Sequence, residues 1–591
     1  MRLVVGFLFL LMTTGGFAQY PTVFSDNLKA RITEDSLSHF YLSAERIVWQ
    51  SGNEQVKGAE LLLNTGTVQP SFAKQPICQL QNIGDSLCSI LLDFGTEIHG
   101  GIQITTMQSN NANPRVRLRF GESVSEACSE LAPPNSGYGG GLGTNHHAMR
   151  DFELTLPGYG TIEVGNTGFR FIRLDLLGRN AKLVLAQIRA AVVMRKLPYL
   201  GSFKSDNSRL NKIWQTGAYT VQLCMQDYLL DGIKRDRMVW AGDIGPEIAT
   251  INAAFGYNDI VPKSLDFLRD QNPKFINGIA SYSMWWVLMQ YDWYLYHGRL
   301  DYLKAQKTYL LDLLDRFTQY VDSTGVEQLN NIGMRFIDWP TYGNKDAVHA
   351  GLQALLAMTF DRGAKLCKVL GEAKQAERYH ELALRTGAVK MPTTSTKQAA
   401  ALLSLAGMVN AEGTNKDVIA KGGPKGFSAF MGYYMLLAQA KAGDYKGALH
   451  NIEAYWGGML DLGATTFWEE FDLEEAKNAG RIDDFVPEGK LDYHRSTGKD
   501  CYIGLRRSLC HGWASGPTAW LTQYVLGVQV LSPGCRKVLI EPHLGDLNWV
   551  EGSFPTPYGL IHIQHRKQAD GSVASTVQGP KEVEIILSKN K

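Results

Sequence analysis

The spacing of apolar residues changes twice along the chain, and this restricts the possible folds more than any other feature. From Tyr20 to about Leu200, apolar and polar residues alternate in short runs, as in Val116-Arg-Leu-Arg-Phe120 and Phe169-Arg-Phe-Ile-Arg-Leu-Asp-Leu176, with Gly, Pro and Asn between them. A period of two puts every second side chain on one face, so these runs predict antiparallel strands and a β-sandwich. Near Ser205 to Ser208 the period lengthens. Leu210, Ile213, Trp214, Ala218, Val221 and Met225 recur at helical spacing, and amphipathic segments such as 302–320, 349–370, 373–384 and 427–442 continue to about Leu526. Paired helices over that length predict a barrel of helical hairpins rather than a small bundle. After Gly527, strand-like runs return at Lys537 to Ile540, Leu560 to Gln564 and Val583 to Leu587, predicting a small C-terminal β-sandwich. The expected domains are a sandwich over 19–200, a helical barrel over 201–526 and a second sandwich over 527–591.

The 591 residues are too many for one core, and with 45% hydrophobic and 20% charged residues they are ordinary for globular domains. Lys and Arg number 59 against 58 Asp and Glu, so no polyanion-binding surface is signalled and nucleic acid is not an expected partner. Met1-Arg2, an apolar run from Leu3 to Met12 and small residues ending at Gly16-Phe17-Ala18 read as a signal peptide over 1–18. That run is too short for a bilayer core of roughly 30 Å, which takes about 20 residues. No later segment is long and apolar enough, so no membrane insertion is expected. An exported protein of the periplasm or the outside medium is predicted, with no cysteine near the cleavage point to carry a lipid anchor. The cysteines show no CxxC or CxxH spacing, so no structural zinc is expected. Export permits disulfides, and Cys78 and Cys88 are spaced to close a short loop. Nothing in the sequence fixes an oligomeric state.

Ten of the 12 tryptophans fall in the helical region, at 214, 240, 285, 286, 293, 339, 456, 468, 513 and 520. Flat aromatic faces take the C–H faces of pyranose rings while nearby carboxylates take the hydroxyls, which is how sugar clefts are built. About half of these tryptophans are expected to fill core, Trp214 and Trp520 among them, because they sit in apolar stripes. The informative ones stand beside acids: Trp240-Ala-Gly-Asp243, Asp338-Trp339 and Trp468-Glu469-Glu470. The densest segment, Asp231-Gly-Ile-Lys-Arg-Asp-Arg-Met-Val-Trp-Ala-Gly-Asp243, links a helix ending near Leu230 to one beginning near Ile244. It reads either as a functional loop or as a solvated set of ion pairs. His146-His147 are strand neighbours facing opposite sides with no third ligand near, so no metal is expected there. The glycines from Gly137 to Gly143 lack the Lys-Ser/Thr of a phosphate loop, and a mobile loop near the barrel mouth is expected instead.

Together these segments resemble the α-L-rhamnosidase family of inverting glycoside hydrolases along nearly the whole mature chain. The matching text includes Arg46-Ile-Val-Trp-Gln-Ser51, Gly143-Thr-Asn-His-His-Ala-Met-Arg-Asp-Phe152, Asp231 to Asp243, Phe336-Ile-Asp-Trp339, Thr465-Thr-Phe-Trp-Glu469 and Ser508-Leu-Cys-His-Gly-Trp513. Pro533-Gly534 and Pro555-Thr-Pro-Tyr-Gly559 follow. The resemblance implies an (α/α)6 barrel flanked by β-sandwiches, removal of terminal α-L-rhamnose from glycosides or polysaccharides, and no cofactor. Carried over by motif, Asp236 is the general acid and Glu469 the general base. Asp231, Arg235, Trp240, Asp243, Trp339, Trp468 and His511 bind the sugar.

Many members carry a glutamate two positions after the arginine corresponding to Arg235. Here Arg237 stands there and the segment is one residue shorter, which resembles a branch in which the aspartate directly after the arginine takes over. Inversion needs an acid and a base roughly 6.5–9.5 Å apart on opposite faces of the ring, and a closed barrel can bring residues so distant in sequence together. Arg235 and Arg237 flank Asp236 and oppose retention of its proton, and Asp231 or Asp243 are placed to supply the opposing field. Glu470 competes with Glu469 for the base role, and the family pattern selects Glu469. Two other readings stand beside this one: a related helical-barrel glycosidase or lyase acting on another sugar, and a non-catalytic carbohydrate-binding protein.

Overall fold

The computed structural model describes residues 23–33, 35–71, 75–107, 113–133, 144–272, 274–392, 394–498 and 502–588. The expected signal peptide and the glycine run at 137–143 lie outside the described residues. The chain divides into two units, Met1–Ser36 and Leu37–Lys591. In the first, one helical turn, Asp26–Lys29, is capped by the Ser25 hydroxyl, which accepts the Leu28 N–H.

In the second unit, strand Arg115–Gly121 shows how the two-residue period acts. Val116, Leu118 and Phe120 are buried on one face, and on the other Arg117 and Arg119 pair with Asp151, Glu130 and Asp175. This strand belongs to a nine-stranded sheet whose two long strands, Ser89–Thr106 and Gly160–Leu177, run antiparallel. Their register shifts between Asp93 and Ile98 and again between Gly100 and Ile102. Such irregularities bend a strand and increase its twist. The sheet thereby folds over a single core that includes Ile90, Leu92, Ile104, Phe169 and Ile188. Gly100, at φ +146°, cannot be replaced freely, because a Cβ there falls 2.0 Å from the Ala191 carbonyl oxygen.

Helix Ser208–Cys224 opens the helical region and is capped by Asn207, whose side chain accepts the N–H groups of Arg209 and Leu210. From there outer and inner helices alternate. The inner ones, Ile244–Ala254, Ala280–His297, Lys345–Val369, Lys397–Leu405, Ala429–Lys441 and Gly516–Trp520, touch in sequence and close on the first. This is the (α/α)6 ring. Because each inner helix follows an outer one, all six run the same way and present their N-termini at one mouth.

Strand Ser202–Ser205 falls within the span expected for the barrel, but it pairs antiparallel with Trp549–Thr556 and so belongs to a C-terminal sheet with Gly559–Lys567 and Val573–Gln578. A second small sheet holds Val528–Val530, Lys537–Ile540 and Glu584–Leu587. Val538, Val550, Phe554, Ile561 and Ile563 from these sheets join the core of the barrel. Cys78 and Cys88 are buried free thiols, with no bridge between them. Among the described residues no helix is long and apolar enough to cross a membrane.

Candidate active site

The segment from Asp231 to Asp243 lies across the mouth formed by the inner-helix N-termini. The Asp231 N–H donates to the Met238 carbonyl (3.0 Å), and the Asp231 carboxylate accepts the Met238 N–H (2.8 Å), closing a tight loop. Inside it Asp236 and Arg237 sit at φ +51° and +54°. The left-handed region costs a non-glycine residue roughly 1–2 kcal/mol, so the loop must be held from outside. Part of that hold is Arg237, whose guanidinium donates to the Asn166 carbonyl (2.9 Å) of the N-terminal sandwich.

A second segment, Phe467 to Glu470, runs beside residues 508 to 511. The Glu469 N–H donates to the Ser508 carbonyl (3.0 Å) and the His511 N–H to the Phe467 carbonyl (2.9 Å). Glu469 faces the cavity at a bend in the chain, while Trp468 and Glu470 do not line it. Trp468 is fully buried against Phe471 and Tyr493 and does not line the cavity. Glu470 pairs with buried Arg507 (3.1 Å). Asp338 is likewise turned inward, accepting the Trp339 N–H (2.9 Å) and the Ser428 hydroxyl.

The cavity so formed holds about 260 Å³. Asp231, Arg235, Asp236, Trp240, Asp243, Trp339, Glu469 and His511 all line it, so apart from Trp468 the residues expected at the site come together. Arg235 links the pair expected to do chemistry. Its Nη1 lies 3.0 Å from Asp236 Oδ2, its Nη2 donates to Glu469 Oε1, and its Nε donates to the Arg506 carbonyl (2.6 Å). Glu469 Oε2 also accepts the Ser508 N–H (2.9 Å). Its carbonyl accepts the Trp513 indole N–H (2.9 Å). Gly512 runs close beside a buried glutamate, since a Cβ there falls 1.4 Å from the Glu247 carboxylate.

Electrostatics divide the four carboxylates. Burial raises the pKa of Glu469, but Arg235, His511 and the Ser508 N–H outweigh it and leave the group below the ordinary range. Burial likewise raises Asp236, and Arg235 and His147 more than reverse it. Asp231 and Asp243 are pushed well up, chiefly by burial, with neighbouring carboxylates adding to the rise. Of the four they are the most disposed to hold a proton. His511 is lowered to about 4, mainly by burial. Its Nε2 lies 3.7 to 3.8 Å from Asp231, Asp243 and Glu469, gaps that a sugar hydroxyl can bridge.

Several contributors were not legible in the sequence, Ile279, Tyr282, Met334 and Arg506 of the lining among them. His147, set aside as a metal ligand, brings Nε2 to 2.8 Å from Asp236 Oδ1. Phe336 and Trp513 line the cavity, and both stand in the matched segments, so the signal was present without a role attached. Among the described residues the one cluster with metal-like donors, Glu122, Glu126 and His494, lies away from this lining.

The model of the bacterial alpha-L-rhamnosidase 6 hairpin glycosidase domain matches residues 198–391, and that of the bacterial alpha-L-rhamnosidase C-terminal domain matches 527–588. The chain is 25% identical over 539 residues to an alpha-L-rhamnosidase of Alteromonas sp. (strain LOR), covering 82% of this chain and 54% of that protein. It therefore spans about half the length of that curated relative. Among solved structures, the GH78 family rhamnosidase of Bacillus sp. GL1 superposes with a TM-score of 0.71 at 20% identity, over 90% of this chain and 55% of its own. The rhamnosidase from Klebsiella oxytoca with rhamnose bound gives 0.64 at 22% identity, over 83% and 96%. These structures share the fold of a helical ring with sheet domains on either side, and the two matching domain models cover its first hairpins and its C-terminal sheets. Over residues 198–391 and 527–588 the chain thus matches the bacterial alpha-L-rhamnosidase six-hairpin glycosidase and C-terminal domains.

Proposed function

We propose that this chain is an exported glycoside hydrolase that removes terminal α-L-rhamnose from glycosides or polysaccharides with inversion. One observation carries this: a single buried guanidinium, Arg235, bridges Asp236 and Glu469 at the mouth of an aromatic cavity. Two carboxylates set one guanidinium apart suit an anomeric carbon and a water between acid and base, for which roughly 6.5–9.5 Å is typical. Glu469, ionised, takes a proton from that water as it attacks the anomeric carbon. Asp236 gives a proton to the leaving oxygen from the opposite face. Asp231 and Asp243, which burial disposes to hold a proton, share the ring hydroxyls with His511 and Arg235, and Trp240 and Trp339 pack on its C–H faces. Trp468 acts from behind, packing the segment that carries Glu469 against Phe471 and Tyr493. The rhamnose bound to the Klebsiella relative supports the choice of sugar, and the leader-like first 18 residues support export.

The test is a panel of aryl glycosides followed by proton NMR of the first anomer released. Turnover of the α-L-rhamnoside with β-rhamnose appearing first is expected, and an α-anomer first overturns inversion. A lyase instead yields an unsaturated, ultraviolet-absorbing product, and a lectin binds without release. Glu469→Gln should cost on the order of 10²- to 10⁴-fold in kcat. Glu470→Gln should keep most of its kcat and lower Tm, because it unpairs Arg507. Equal losses of kcat in the two variants overturn the assignment of the base.

A further inference from the structure

The residue before Arg235 in the chain is Lys234, which is 1% exposed. Its Nζ lies 3.2 Å from Glu122 Oε2 and donates to Glu126 Oε1 (3.2 Å) and to the carbonyls of Leu505 and Arg507 (2.8 Å each). Both glutamates belong to the N-terminal sandwich, Glu126 in the turn Val124–Ala127 and Glu122 just before it. A buried ammonium is tolerated only when paired and fully hydrogen-bonded, and these four oxygens meet that demand.

The same carboxylates reach the other half of the site. Glu122 accepts the Leu509 N–H (2.6 Å) and the Ser508 hydroxyl (3.1 Å). Ser508 in turn donates its N–H to Glu469 Oε2, and its carbonyl accepts the Glu469 N–H. The sandwich also grips the loop's backbone, through the Gly168 N–H on the Ile233 carbonyl (2.8 Å) and Arg150 on the Lys234 carbonyl (3.3 Å). Glu122 is therefore joined to one side of the Arg235 bridge through Lys234 and to the other through Ser508.

The donor types around Lys234 sharpen its role. Glu122, Glu126 and His494 present ligand atoms within 4.8 Å of one another, a set that suits a divalent ion. Here the ammonium stands against both carboxylates, while the His494 ring nitrogens face the Ser123 hydroxyl (2.8 Å) and the Arg507 carbonyl (3.0 Å). We propose that Lys234 is a positioning residue: a cation supplied by the chain itself, through which Glu122 and Glu126 of the sandwich hold Arg235, and with it Asp236 and Glu469, in working geometry. This rests on the assignment of Asp236 and Glu469 as acid and base.

Lys234→Ala, checked for native folding by near-ultraviolet circular dichroism, should lose about 10²-fold in kcat on an aryl α-L-rhamnoside with little change in KM, as expected of displaced reacting groups. Ethylammonium chloride should restore part of that kcat by reseating a cation among the two carboxylates, and sodium chloride at equal ionic strength should not. A folded variant with wild-type kcat overturns the proposal, as does equal restoration by both salts. Where Lys234→Ala does not fold, Glu122→Gln replaces it: a folded Glu122→Gln with wild-type kcat overturns the proposal, and a lowered kcat at unchanged KM supports it. If the wild type hydrolyses no aryl rhamnoside, only the assigned activity fails. The crystal structure of Lys234→Ala then decides the clamp by itself, and Arg235 still bonded to Glu469 there overturns it.

Discussion

His147 alters the demands on Asp236. A general acid must carry its proton at the working pH, yet Arg235 and His147 together hold Asp236 below the ordinary carboxylate range. Activity that needs a protonated Asp236 beside an ionised Glu469 is thereby drawn to acidic pH. His147→Ala removes one of the two partners that favour the ionised form, so the Asp236 pKa rises. The alkaline limb of kcat/KM, which marks loss of the acid's proton, should move to higher pH, while the acidic limb set by Glu469 stays in place. A pH profile of kcat/KM checks this, and an alkaline limb that moves down or stays fixed contradicts it. At this scale the sequence was most legible where a family-like motif held the residue, as in Asp231, Arg235 and Glu469, which come together in one cavity. It was silent where a role depended on contact across domains. For His147, no spacing within the sandwich points to an aspartate 89 positions away.

Among the elements, helix Lys345–Val369 is tied to the stretch before it through Glu327. This buried carboxylate lies 2.5 Å from His349 and 2.5 Å from Arg335 and accepts the Leu329 N–H (2.8 Å). Burial raises its pKa, but His349, Arg335 and that N–H together bring it down to about 2 from 4.5. Because the folded value is the depressed one, the stabilisation is complete above pH 4.5 and is lost as the pH falls from there through about 2. It amounts to roughly 3 kcal/mol at most. Chemical denaturation between pH 2 and 6 should show this loss in the wild type and a flatter profile in Glu327→Gln. Identical slopes would rule Glu327 out as the source. Strand Ser202–Ser205 marks the limit of reading elements from sequence. Its alternation spans four residues, too few to separate from the approach to a helix, and its partner strand lies some 350 residues on.

For the whole molecule, the order of sheet, helical ring and sheet followed from periodicity, whereas the merging of their cores did not. The core of the N-terminal sandwich takes in Leu223, Cys224, Ile233 and Cys510 from the helical region, and the C-terminal sheets share the core of the ring. Scanning calorimetry should therefore give one cooperative transition with calorimetric and van't Hoff enthalpies in agreement, despite the chain's length. Two resolved transitions would show the sandwich to be an independent folding unit. The cavity draws on Asp231 near the start of the ring and on His511 and Trp513 near its close, with Asp236 contacted by His147 from the sandwich. A growing chain therefore cannot assemble this cavity until its last hairpin has been made.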